Sequence, residues 1–121
     1  MNNHEKINYV ELPAKDIPAT KAFFTQVFGW SFEDFGPDYT AFENQGLDGG
    51  FFRSDLLSSP KTGGALIVFY SHDLKATQAK IVAAGGTIVE PVLPFPGGRR
   101  FHFTEPSGNE FAVWSDLMHN P

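Results

Sequence analysis

The sequence predicts an α+β fold made of two βαβββ modules in tandem. One observation is a helical stripe with an Asp cap and a Gly stop that occurs twice, 57 residues apart. Another is the run of short alternating segments, bounded by Gly, Pro, Asn and Asp, around each stripe. The last is a well-marked hairpin near the C-terminus. Phe101 and Phe103 alternate with polar residues before Glu105-Pro106-Ser107-Gly108-Asn109, and Phe111 and Val113 alternate after it. Pro106 fixes one φ, and Gly108-Asn109 can take the positive φ that reverses the chain.

In chain order, Ile7 to Leu12 reads as a strand with Tyr9 and Glu11 on one face and Val10 and Leu12 on the other. Pro13 is expected to stop it. Asp16 is placed as an N-cap, with Pro18 in the first turn, where its missing N–H does no harm. Ile17, Phe24, Val27 and Phe28 fall near one helical face, and Gly29 is the stop. Trp30 to Phe35, Tyr39 to Glu43 and Gly49 to Arg53 read as three further strands, with turns between them. Ser54 to Gly64 has linker composition apart from Leu56-Leu57.

The pattern then restarts. Ala65 to Tyr70 is an apolar strand, Asp73 a second N-cap, and Leu74, Thr77, Ile81 and Ala84 a helical stripe ending at Gly85-Gly86. Thr87 to Val92 is a strand, Pro94 to Gly98 a loop, and the closing hairpin completes the unit. At the 57-residue offset Asp16 matches Asp73, Phe24 matches Ile81, Val27 matches Ala84 and Gly29 matches Gly86. Later in each half the offset is 61, where Phe42 matches Phe103 and Ser54-Asp55 matches Ser115-Asp116. Cap, stripe and terminator repeat together, so the halves, about residues 5–55 and 64–116, are copies of one unit. Neither half can cover its sheet alone, so the two should pair through their sheets with the helices on the outer faces.

Composition sets the boundaries. The chain has 121 residues, 41% of them apolar, including thirteen Phe, which is ample for one core. A formal charge of −5 argues against a nucleic-acid or anionic-membrane partner, since phosphate binding needs a basic face. No apolar run reaches the length of a membrane span. The start, Met1 to Lys6, lacks a signal-peptide pattern, so a cytoplasmic protein is expected. The absence of Cys excludes disulfides, thiolate metal sites and Cys nucleophiles.

The strand-Asp-helix entry Val10 to Asp16, the run Ala22 to Trp30, Ala83 to Thr87 and Glu105 to Trp114 together resemble the vicinal oxygen chelate superfamily. That superfamily includes glyoxalase I, the extradiol dioxygenases and the bleomycin- and fosfomycin-resistance proteins. The resemblance implies a cupped mixed sheet with helices on its outer face and a concave cleft, which in relatives holds a divalent metal. It places the metal ligands on the first and last strands of each half. The first-strand position lies seven residues before the capping Asp, here Tyr9 and, in the second half, Leu66. The last-strand position lies four residues after the turn Gly, here Ala112, with a first-half counterpart within Gly49 to Phe51. None offers imidazole or carboxylate. A divalent ion needs several N or O donors converging at fixed distance. The expectation is therefore no metal and no cofactor.

Tyr9, Glu11, Leu66, Val68, Tyr70, Phe101, Phe103, Ala112 and Trp114 are the residues expected to line the cleft for a small organic ligand. Tyr and Trp suit a half-wet pocket because each pairs an apolar ring with a polar group. Glu11 and Glu110 share strand parity with Tyr9 and Ala112. Either can serve as a general base, form a substitute ligand set with His102, or stand solvated at the rim. If Thr104 pairs with Asn109, Phe101 and Phe103 face the cleft and His102 faces away; a bulge in the turn reverses this. Gly97-Gly98-Arg99-Arg100 reads as a hairpin turn with exposed arginines, or as a holder for an anionic group. His4, His72 and His119 are placed at the ends or in a loop. The resemblance also implies a homodimer, which the apolar fourth strands and Trp30 favour.

Overall fold

The computed structural model describes residues 2–116; His119 lies outside the described residues. Among the described residues, eight strands and two α-helices follow one another as two βαβββ units. The first contains β1 (Tyr9–Ala14), α1 (Ile17–Phe28), β2 (Phe32–Asp34), β3 (Tyr39–Gln45) and β4 (Leu47–Arg53). The second contains β5 (Ile67–Tyr70), α2 (Leu74–Ala83), β6 (Thr87–Phe95), β7 (Gly98–Thr104) and β8 (Glu110–Ser115). Each unit carries a mixed four-stranded sheet, in the orders β1-β4-β3-β2 and β5-β8-β7-β6. β1 and β5 pair in parallel with β4 and β8, and the remaining pairs are antiparallel.

The helix caps are those the sequence predicts. Asp16 accepts from the Ala19 amide at 3.0 Å and Asp73 from the Ala76 amide at 3.1 Å. Each satisfies an N–H that the helix itself leaves without a partner. α1 ends at Gly29 in a left-handed conformation. Its stripe of Ile17, Phe23, Phe24 and Val27 is buried, as are Leu74, Thr77 and Ile81 of α2.

Several expected boundaries move. Pro13 does not stop β1, which runs on to Ala14. β1 is an edge strand paired only with β4, so a residue without an N–H is tolerated there. β6 extends to Phe95, so most of the expected Pro94–Gly98 loop is strand and only Pro96-Gly97 joins β6 to β7.

The helices cover one face of each sheet, and the covered faces share a single core. Phe24 of α1 is its centre. Its ring stacks on Trp30 at 4.5 Å and on Phe51 of β4 at 5.7 Å, and stands edge-on to Phe111 of β8 at 5.4 Å. One side chain thus ties both sheets together. Among the described residues no helix covers the opposite face of either sheet, and the candidate site lies there.

The closing turn decides which residues reach that open face. Gly108 donates to the Glu105 carbonyl at 2.8 Å and Glu105 donates to the Asn109 carbonyl at 3.1 Å. Gly108 has φ +94°, giving a three-residue loop of a type I turn followed by a left-handed residue. Thr104 therefore pairs with Glu110, not Asn109, and His102 with Ala112. A one-residue change of register exchanges the faces. Phe101 and Phe103, expected in the cleft, are fully buried in the core, while His102 joins Glu110 on the open side.

Candidate functional site

On the second sheet, register puts His102 of β7 with Glu110, Ala112 and Trp114 of β8, and then with Val68 and Tyr70 of β5. His102 Nδ1 lies 2.8 Å from Glu110 Oε2, and the two side chains are only 13% and 12% exposed. A carboxylate can only accept, so Nδ1 carries the shared proton. Nε2 is left as the ring's free hydrogen-bonding atom. The other Glu110 oxygen accepts from Ser59 Oγ at 3.3 Å, so the carboxylate is held at both ends.

Around this pair lies an open cavity of about 600 Å³. Lys61, Glu90 and Arg100 bring charge to its lining, and Leu93, Pro94 and Phe95 bring apolar surface. The segment of linker composition builds one wall. Ser58 donates its amide to Asn109 Oδ1 at 2.7 Å and accepts from the Glu110 amide at 2.9 Å. Ser59 then caps the short 3₁₀ turn Pro60–Thr62. Lys61, Glu90 and Phe95 did not emerge from sequence reasoning. They reach the site through the connector fold and the bulged β6–β7 pairing, which no spacing announces.

Trp114 stands beside the cavity lining, 6.2 Å from Phe95 and edge-on to Tyr70 at 5.2 Å. The Tyr70 hydroxyl donates to Asp116, which pushes its pKa up. Val68 and Tyr70 also line a second, apolar cavity of about 420 Å³ with Val10, Leu47 and Ile67, where the two sheets meet. Leu66 just precedes β5 and is half-buried. Ala112 shares the open face by register but has no exposed surface.

The first sheet carries its own polar group. Tyr39 Oη donates to Glu11 at 2.9 Å, and the Tyr9 and Tyr39 hydroxyls are 2.6 Å apart. Tyr39's single proton is committed to the carboxylate, so Tyr9 donates to Tyr39. Desolvation first, then the bonds to Tyr9 and Glu11, hold the Tyr39 pKa well above the usual phenol range. Gly50 permits this packing, because a Cβ there would stand 2.1 Å from the Tyr39 hydroxyl. Tyr39 was not among the residues expected at the site. Its signal was the Tyr39/Ala41 parity opposite buried Thr40 and Phe42.

These donors do not fit the divalent metal of the resemblance. Leu66 and Ala112 have no donor atom, and the Tyr9 hydroxyl is committed to Tyr39. Glu11 is engaged with Tyr39 on one sheet, and Glu110 with His102 on the other. Among the described residues no group of three or more His, Cys, Asp or Glu could hold a metal ion.

Comparison with known proteins agrees with this fold. The model of the Glyoxalase/Bleomycin resistance protein/Dioxygenase superfamily matches residues 6–113. The chain is 28% identical over 124 residues to the anthracycline biosynthesis protein DauV of Streptomyces sp. (strain C5), covering 88% of this chain. It spans less than half, 45%, of that relative's length. Among solved structures, a glyoxalase-related enzyme from Fulvimarina pelagi superposes with a TM-score of 0.75 at 16% identity, over 92% of this chain and 88% of that one. A family enzyme from Burkholderia phytofirmans PsJN gives 0.74 at 18% identity, over 91% and 98%. At these identities the structures speak for the fold, and the match of the family model along nearly the whole chain carries the assignment. The protein belongs to the Glyoxalase/Bleomycin resistance protein/Dioxygenase superfamily.

Proposed function

We propose that the protein binds a small organic molecule on the open faces of its sheets without using a metal, as a cytoplasmic homodimer. The observation that carries this reading is the His102–Glu110 pair, part-buried at 2.8 Å in a cavity with both apolar and charged walls. Binding sites combine apolar lining with a few convergent polar groups in this way. Exposed rings at Tyr9, Phe52 and Tyr70 add aromatic surface to the same faces. The similarity to an anthracycline biosynthesis protein supports a small organic ligand.

Metal analysis of protein purified without chelator tests the metal-free part. The expected result is far less than one Zn, Ni, Fe or Mn per chain, and a stoichiometric metal overturns it. Mass spectrometry of the native protein, before and after denaturation, looks for a co-purified molecule. Binding is tested by equilibrium dialysis against simple aromatic probes, and failure of all of them sinks the aromatic-ligand reading.

The same pair favours a second reading, a glyoxalase-like lyase or isomerase using Glu11, Glu110 or His102. A carboxylate-held imidazole is a common arrangement for proton transfer. Glu110→Gln should leave the fold intact under either reading and abolish turnover only under this one.

A further inference from the structure

We propose that the His102 cavity takes an aromatic ligand bearing an acidic hydroxyl and holds it ionised, as a phenolate against a protonated His102. This rests on the reading above that the open face binds a small organic molecule, and it names the chemical class. Because Nδ1 donates to Glu110, a neutral His102 presents a lone pair at Nε2. A ligand O–H that meets Nε2 loses its proton there. The O–H bond breaks, an N–H bond forms, and the electron pair stays on the ligand oxygen. Glu110 then stabilises the new imidazolium through the bond it already makes.

The surrounding charges favour that product. Glu90 faces the cavity from β6, Arg100 from β7, Glu110 from β8, and Lys61 from the connector. Two cations and two carboxylates balance, so the cavity is neutral around a neutral ring. Moving a proton onto His102 adds one positive charge, and the ligand's oxyanion offsets it. The low exposure of His102 and Glu110 weakens solvent screening of this contact. Leu93, Pro94 and Phe95 offer apolar walls for a ring, so a small hydrophilic anion gains less here than an aromatic one.

The test compares 4-nitrophenol with 4-nitroanisole, which has the same ring but no proton to give. Binding is measured by equilibrium dialysis, at a pH where free 4-nitrophenol is mostly protonated. The expected result is that bound 4-nitrophenol shows the long-wavelength phenolate band and 4-nitroanisole binds about tenfold more weakly, since a site built around a hydroxyl rejects the analogue lacking it. In His102→Asn, the amide can still donate toward Glu110 but nothing replaces Nε2, so the probe should bind as the neutral phenol.

Several results overturn the proposal: a neutral-phenol spectrum with wild-type protein, equal affinity for both probes, or a phenolate band that survives in His102→Asn. The wild-type comparison of the two probes decides the matter even where the variant does not fold. If neither probe binds, the small-molecule reading fails for this class, and this inference fails with it. If both bind but no ionisation occurs, only this inference fails.

Discussion

Glu105 shows how much one side chain in the closing turn carries. It is 2% exposed and accepts from Thr20 Oγ1 at 2.6 Å and from the Ser107 and Asn109 amides at 3.0 and 3.1 Å. Desolvation nevertheless dominates, and its pKa is raised above the ordinary 4.5. A carboxyl whose folded pKa is raised binds its proton more tightly in the native state. Its contribution to stability is full below about pH 4.5 and is lost as pH climbs through the folded pKa. Glu105→Gln cannot ionise and so escapes that loss. The stability of this variant relative to wild type, from urea midpoints, should rise as pH climbs from 4.5 through the folded pKa and then level off. A constant difference across that window would show that the burial does not act on the titration.

At the scale of elements, the closing hairpin is a clamp. Asn109, which is fully buried, donates from Nδ2 to the Pro13 carbonyl at 2.6 Å and accepts the Ser58 amide at 2.7 Å. Ser107 Oγ accepts from the Asp16 amide at 3.1 Å and shares a 2.7 Å contact with Thr20. The end of β1, the start of α1 and the connector all converge on one turn. Asn109→Ala leaves the part-buried Pro13 carbonyl and Ser58 amide without this partner, so the expected loss is about 2 kcal/mol. Chemical denaturation measures it, and a loss under about 0.5 kcal/mol, the range of an ordinary surface change, contradicts the clamp. Because Ser58 is held here, the same variant should also loosen the Lys61 wall of the cavity.

At the scale of the whole molecule, the two sheets share a core on one side, and among the described residues no helix covers the other. Among the described residues, β1 and β5 each have one edge with no partner strand. Unpaired edges next to exposed apolar side chains such as Val68 invite pairing with another chain. The homodimer proposed above should appear in sedimentation velocity as a species of twice the chain mass, falling apart on dilution or on Val68→Lys. A monomer at all concentrations removes it. Among the described residues no helix is long and apolar enough to cross a membrane.

The chain's own order determined a great deal. Capping Asp, buried stripe and glycine stop are local features, and local energetics suffice to set them. Tandem repetition of that pattern marked out both modules, and the motifs Val10 to Asp16, Ala22 to Trp30, Ala83 to Thr87 and Glu105 to Trp114 carried the resemblance to the family. The positions at which the resemblance places metal ligands, Leu66 and Ala112 among them, could be found by counting from the capping Asp and the turn Gly. What the tertiary structure decided was orientation. Whether Phe103 or His102 faced the open side turned on one residue of register, set by the positive φ of Gly108 and the Thr104–Glu110 pairing. The connector's docking against Glu110, and Tyr39's reach across Gly50 to Glu11, depend on contacts far apart in the chain. Alternation fixes which residues share a face, but only packing against the core selects which face is inside.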